Sequence, residues 1–280
     1  MIGAQVIRVI AVLCVALSIG LAGTATEAQQ SAVPRPSQQP PQRPIAPENL
    51  RTGSAYLSAD LKALQDDEFA NPGMLWVERG ARLWNEPAGA QGKSCASCHG
   101  DASTSMKGVA VSYPKIAAGG GSLMTLEQRI RQCRHNRQGA SPWQYESQEL
   151  LSMSAYVASQ SRGMPLNVTI DGAARPHFEA GRRLYNQRMG QMNLACTNCH
   201  DDNAGRRIYA ERISQGHPNG YPAYRLEWQS LGSLGRRLRA CLSGIRGDMF
   251  APGSKEHGDL ELYLAWRAKG LPSEAPGVRR

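Results

Sequence analysis

Aromatic residues are scarce in this 280-residue sequence, at 6% with only three phenylalanines. Mean hydropathy is −0.43, and no apolar run of 18 or more residues follows the N-terminal stretch, which excludes a multi-span membrane protein. Cysteine is sparse as well: seven in a chain of this length are too few for a disulfide scaffold. The basic excess, 32 Lys and Arg against 23 Asp and Glu for a formal charge of +9, is not interleaved with aromatics. Nucleic-acid binding is therefore not expected, and the charge favours an acidic protein partner or an anionic substrate. The residues that are present, 41% hydrophobic and 20% charged, exclude disorder throughout and suffice for one large domain or two ordinary ones.

Arg8 precedes an apolar stretch from Val9 to Ala22, and the small residues Gly23-Thr24-Ala25-Thr26-Glu27-Ala28 follow. That order predicts a cleaved export signal over residues 1–28, a periplasmic mature chain and no membrane span after cleavage. An uncleaved anchor competes with this reading, but the stretch is short for a span. Cys14 lies inside the signal and drops out of the chemistry. Residues 29–55 carry Pro34, Pro36, Pro40, Pro41, Pro44 and Pro47 and are expected to form an extended tether.

Six cysteines remain, and four of them fall in Cys95-Ala96-Ser97-Cys98-His99 and Cys196-Thr197-Asn198-Cys199-His200. Each is a C-x-x-C-H sequence, the attachment site of c-type haem. Two thiols at this spacing add across the vinyl groups while the adjacent imidazole turns to the iron. Two copies predict two covalently attached haem c groups, with His99 and His200 as proximal ligands. Zinc held by the two C-x-x-C pairs is the competing reading, and it leaves both histidines unexplained.

The surroundings repeat. Gly80 and Trp84 precede Cys95 by the same intervals as Gly181 and Tyr185 precede Cys196, an offset of 101. Residues 126–133 resemble 234–241 at an offset of 108, and Tyr156-Val157-Ala158 and Gly163-Met164-Pro165 match Tyr263-Leu264-Ala265 and Gly270-Leu271-Pro272 at 107. Each copy reads as an apolar-aromatic helix, a haem turn, a middle helix and a last helix closed by Gly and stopped by Pro. The expected fold is mainly α: two cytochrome c-type haem domains related by internal duplication, over 56–168 with an N-terminal extension and over 169–280, the second being catalytic.

Cys133 and Cys241 continue the apolar series Leu123, Leu126, Ile130 and Leu231, Leu234, Leu238 at intervals of 3, 4 and 3. Both sulfurs are expected on the buried face of the middle helix, where a distal ligand belongs. Thiolate ligation of both irons is the preferred reading. The alternatives are a buried structural thiol, a Cys133–Cys241 disulfide, or ligation by Met124, Met153 or His135 in the first domain and Met249 or His217 in the second. Arg129 and Arg237 each lie four residues before their cysteine, so each guanidinium is expected near its sulfur, favouring thiolate or holding a sulfur oxyanion. Gly244 and Gly247 follow Cys241, where Arg134-His135-Asn136-Arg137 follows Cys133, which favours a more open second site.

Residues 64–80 (LQDDEFANPGMLWVERG), 221–234 (YPAYRLEWQSLGSL) and 236–241 (RRLRAC) resemble the dihaem SoxA family of the sulfur-oxidising Sox system, over roughly Tyr56 to Pro272. The resemblance implies an L-cysteine S-thiosulfotransferase acting with a small monohaem cytochrome, SoxX, and joining thiosulfate to a cysteine of the carrier SoxYZ, with a cytochrome c as electron acceptor. It also implies that Cys241 ligates the second haem, carries a persulfide-type modification and is catalytic, that Arg237 binds substrate, and that Cys133 ligates the first haem. The family more often has Ala at Gly247. Coupling thiosulfate to a thiol removes two electrons and a haem takes one at a time, so two haems or an external acceptor suit the chemistry. Two competing functions are a plain dihaem electron carrier, which would need neither Cys241 as nucleophile nor Arg237, and a peroxidase, whose open distal position the thiol ligands would fill.

Overall fold

The computed structural model describes residues 42–280. The expected signal over 1–28 and the first part of the tether lie outside the described residues. The described end of the tether is held, not free: Arg43 Nη1 donates to the Lys269 carbonyl at 2.7 Å, and the Arg51 amide donates to Gln215 Oε1 at 2.8 Å.

In chain order the elements are α1 (Ala59–Asp66), α2 (Met74–Asn85), α3 (Ala96–His99), α4 (Ala102–Ser105), the strands β1 (Lys115–Ile116) and β2 (Leu123–Met124), α5 (Leu126–Gln138) and α6 (Gln148–Ser159). There follow α7 (Arg175–Asn186), α8 (Cys196–His200), β3 (Arg207–Ile208), β4 (Glu211–Arg212), β5 (Ala223–Arg225), β6 (Ser230–Gly232), α9 (Leu234–Gly244), α10 (Lys255–Arg267) and β7 (Gly277–Arg279). The expected helices are all present. The short strands were not foreseen, and they correct one detail: Leu123 and Leu231 sit on β2 and β6, so the middle helices α5 and α9 begin at Leu126 and Leu234, after the N-caps Thr125 and Ser233. In both, the cap side chain accepts from the amide three residues on, at 3.2 Å and 3.1 Å.

Two long-range helix pairs carry the core: α2 crosses α6, and α7 crosses α10. Glycine sets both crossings. A Cβ at Gly80 would meet the Ser152 carbonyl at 2.2 Å, and one at Gly181 would meet the Asp259 carbonyl at 2.0 Å, so only a hydrogen lets the backbones approach. Trp84 stacks edge-on to Tyr156 at 5.9 Å, while Tyr185 lies 5.2 Å from Tyr263 beside fully buried Phe178.

The segments after α6 and α10 meet each other. Gly163 N donates to Ser273 O (2.8 Å) and Gly270 N to Leu166 O (2.9 Å); Leu166 N donates to Leu271 O (2.9 Å) and Ser273 N to Met164 O (2.8 Å). A shift of 107 residues turns the first bond of each pair into the second. The N-terminal extension, by contrast, packs on the second half: Asn71 Nδ2 donates to the Pro276 carbonyl at 3.0 Å, Val278 N donates to Gln65 Oε1 at 3.2 Å, and β7 lies parallel to β5.

Candidate functional site

The second C-x-x-C-H turn is α8, whose N-terminus is closed by Asn198 Oδ1 accepting from the Ala195 amide at 3.0 Å. His200 Nδ1 lies 2.7 Å from the Ser214 carbonyl, which fixes the ring and leaves Nε2 to meet Cys241. The loop that carries Ser214 presses on the imidazole: Gly216 has φ +73°, and a Cβ there would lie 2.9 Å from His200 Cγ. Asp201, the next residue, accepts from Tyr185 Oη at 3.0 Å and from both terminal nitrogens of Arg267 at 2.5 and 3.2 Å. Arg267 is 1% exposed and lies 4.2 Å from the Tyr185 ring.

Cys241 on α9 meets this turn. Burial opposes its thiolate, but the hydrogen bond with His200 and the charges of Arg237, His200 and Arg225 outweigh it and hold the thiol below its ordinary value. Cys196 goes the other way, pushed up to about 12 by burial and then by Cys241, and Cys199 is raised by the same two causes. A sulfur kept neutral is compatible with thioether attachment, whereas a sulfur held anionic beside an imidazole could serve, with that imidazole, as a donor to iron. Haem c therefore fits this set of donors. Arg237 is half-buried; burial works against its charge, and Cys241, Tyr221, Glu211 and Glu227 more than restore it. Arg225, 4% exposed, reaches Glu211 at 3.5 Å and Glu227 at 3.4 Å.

The first turn, α3, is built more openly. Ser94 and Ser97 cap each other through amide-to-hydroxyl bonds of 3.0 Å, and Trp84 Nε1 donates to the Gly100 carbonyl at 3.0 Å, the counterpart of the Tyr185–Asp201 bond. His99 and Cys98 are exposed, with the His99 ring 5.8 Å from Trp84. Burial, followed by Cys133, pushes Cys95 up to about 11, which places Cys133 at this turn as Cys241 is placed at the other. Arg129 departs from expectation: it is exposed and donates to Gln132 Oε1 at 2.7 Å, although its spacing from the cysteine equals that of Arg237. Identical spacing does not fix a long side chain where one helix face meets solvent and the other a packed hairpin.

The competing ligands scatter. Met249 is 58% exposed, His135 is exposed and Met124 lies on β2; Met153 stays beside the first turn, in the cluster holding Trp84 and Cys95, and His217 stays within electrostatic reach of His200 but bonds Gln215 at 3.1 Å. All six described cysteines are free, so the Cys133–Cys241 disulfide is not formed. Among the described residues no group of three or more His, Cys, Asp or Glu is placed to hold a metal ion on its own. Gly244 faces open space, but a Cβ at Gly247 would lie 3.5 Å from Gly190, and the more open turn is the first, where Cys98 and His99 are exposed; the expected opening of the second site is not found. Sequence reasoning missed Ser214, Gly216, Arg225 and the Asp201–Arg267 pair. Only Arg225 had a signal, lying inside one of the segments that carry the resemblance.

Three comparisons bear on this arrangement. The SoxA/TsdA cytochrome c domain family matches residues 79–166. The L-cysteine S-thiosulfotransferase subunit SoxA of Rhodovulum sulfidophilum is 42% identical over 232 residues, 83% of this chain and 81% of the relative, and that of Paracoccus pantotrophus is 38% identical over 232 residues, covering 83% and 80%. The crystal structure of SoxXA from P. pantotrophus superposes with a TM-score of 0.79 at 38% identity, covering 82% of this chain and 86% of that one. These relatives support covalently bound haem c, and no helix among the described residues is long and apolar enough to cross a membrane.

Proposed function

Since this chain belongs to the SoxA family of L-cysteine S-thiosulfotransferase subunits, we propose that it is the dihaem catalytic subunit that couples thiosulfate to a cysteine of the carrier SoxYZ in the periplasm. The observation that carries this reading is the convergence of Cys196, Cys199, His200, Cys241 and Arg237 on one turn. Cys95 and Cys98 with Cys196 and Cys199 would hold two haem c groups, and His99 with Cys133 and His200 with Cys241 would supply the donors to their irons. When bound, each group supplies a one-electron acceptor. The exchanged hydrogen bonds after α6 and α10, together with the paired glycine crossings, support internal duplication as the origin of the two halves.

Arg237 holds the dianion through charge-assisted donors, with its sulfane sulfur toward Cys241. Cys241, as thiolate or persulfide, forms a sulfur–sulfur bond to that atom, and two electrons leave for the acceptors. The carrier thiolate then attacks the sulfane sulfur, the bond to Cys241 breaks, and the carrier leaves as a cysteine S-thiosulfonate. Overall a thiol and thiosulfate give the conjugate, one proton and two electrons. A cytochrome c takes the electrons onward, and a SoxX-like monohaem cytochrome completes a heterodimer, as the SoxXA structure suggests.

The test is intact-mass analysis of purified SoxYZ after incubation with this chain, its monohaem partner, thiosulfate and an oxidised cytochrome. The carrier should gain one thiosulfate, and this chain should carry two covalent haems. A carrier that stays unmodified while the haems are reduced would leave a plain electron-transfer protein.

A further inference from the structure

Between the two halves lies a cavity of about 100 Å³, room for several waters. Its walls repeat with the halves: Tyr113 faces it with Tyr221, and Leu126 with Leu234. Two acidic residues break the repeat. Glu127 on α5 stands where α9 has Gly235, and Glu261 on α10 stands where α6 has Ser154. The Glu261 side chain is 20% exposed, and its Oε2 lies 3.9 Å from His257 Nε2. The lining also holds buried polar atoms without a protein partner: Ser154 Oγ, Asn219 Oδ1 and both ring nitrogens of His257, in residues 1%, 3% and 6% exposed.

This polar lining needs occupants, because buried acceptors and donors left unpaired have lost their hydration with nothing in its place. Ordered water supplies them. The tyrosines connect the cavity to each site: Tyr113 lies within electrostatic reach of Cys133, and Tyr221 within reach of Arg237. The chemistry next door releases one proton for every two electrons. We propose that the Glu127–Glu261 cavity is a water-filled proton-holding site that takes up a proton when the neighbouring redox centres are reduced, a role that rests on the dihaem reading above.

The charges around the pair support it. Glu127 is pushed up to about 8 by burial, then by Glu261 and Glu146, against the pull of Arg131 and Arg239; Glu261 is pushed up to about 8 by burial. His257 on the same wall is driven down to about 4 by burial and Arg239, so it stays neutral and cannot neutralise the pair. Tyr145 and Tyr113 are raised by burial and stay neutral too. Carboxyls poised near 8 are mostly protonated at pH 7 and about half protonated at pH 8, so the room for proton uptake opens at and above pH 8. An electron arriving nearby raises them further, so a carboxylate gains a proton and becomes the acid.

Potentiometric titration of the holo complex at a series of pH values bracketing 8 tests the proposal. At least one midpoint should fall as pH rises, by up to a factor of ten in the redox equilibrium per pH unit, about 59 mV for a one-electron centre. Glu127→Gln, Glu261→Gln and the double variant should flatten that dependence. The reduced-minus-oxidised infrared spectrum of the wild-type protein should show a new protonated-carboxyl band, lost in the variants. An unchanged pH dependence in the variants, or no such band in the wild type, overturns the proposal. A haem stain and haemochrome count run alongside: fewer than two haems per chain would contradict the dihaem reading instead.

Discussion

Cys133 on α5 and Cys241 on α9 occupy matching positions, and each lies at a C-x-x-C-H turn. Their surroundings differ. The second turn is clamped, with His200 held by Ser214 and Gly216, Asp201 paired to buried Arg267, and Arg237 and Arg225 both acting on Cys241. The first turn leaves His99 and Cys98 exposed and sends Arg129 out to Gln132. The comparison teaches that matching helices place a sulfur at each turn, and that the chemistry open to that sulfur depends on the shell around it. The 203–214 hairpin region of the second half, longer than its counterpart, supplies Ser214 to that shell and Glu211 to the two arginines.

Exchanging the ligands should break the comparison most severely. Cys241→Met should abolish thiosulfate coupling, by on the order of 10³-fold or more, because the nucleophile is gone. Cys133→Met should leave coupling within a few fold, as read by carrier mass. Thiosulfate coupling that falls equally in both would mean that the halves act alike.

The buried ion pair gives the next effect. Arg267→Met leaves Asp201 without its charged partner, with only Tyr185 Oη still donating to it, and should cost about 3 kcal/mol, moderated because Asp201 is 20% exposed. The equivalent change in the first half, Gln160→Met, removes only local bonds to the Tyr156 carbonyl and Ser159 and should cost under about 1 kcal/mol. Denaturant unfolding of the holo protein measures both.

Gly216 and Gly108 are equivalent turns with φ +73° and +75°. Alanine at 216 adds a collision with the His200 ring to the left-handed cost and should destabilise by about 2–3 kcal/mol with a perturbed haem spectrum. Alanine at 108 meets only the flexible end of Met164 at 3.1 Å and should cost about 1–2 kcal/mol with the spectrum unchanged.

The smallest contrast is between the arginines. Arg237→Lys keeps the charge but loses the planar fork, and thiosulfate affinity should fall about tenfold, the worth of one charge-assisted hydrogen bond. Arg129→Lys should change it less than about twofold, since that guanidinium already faces solvent. Steady-state KM for thiosulfate separates the two.

Much of this was legible in the sequence because it is local or periodic. The haem turns depend on five consecutive residues, the helices on spacings of three and four, and the two-fold repetition on constant offsets. Arg237 was legible because it is one turn from Cys241. The shell was not. Asp201 and Arg267 are 66 residues apart, and Glu127 and Glu261 are 134 apart, so no period brings them together. The packing of residues 42–73 on the second half was also invisible, since it depends on Gln65 and Asn71 meeting backbone groups at the far end of the chain. Arg129 misled because spacing places a Cα and not a guanidinium.

The proposed asymmetry between the Cys133 and Cys241 sites is tested most directly by electron paramagnetic resonance of the oxidised holo protein, titrated with thiosulfate. The account predicts two low-spin thiolate signals, of which the one removed by Cys241→Met shifts on adding thiosulfate while the one removed by Cys133→Met does not. A methionine-type signal at the second haem, or a shift confined to the first, would contradict it.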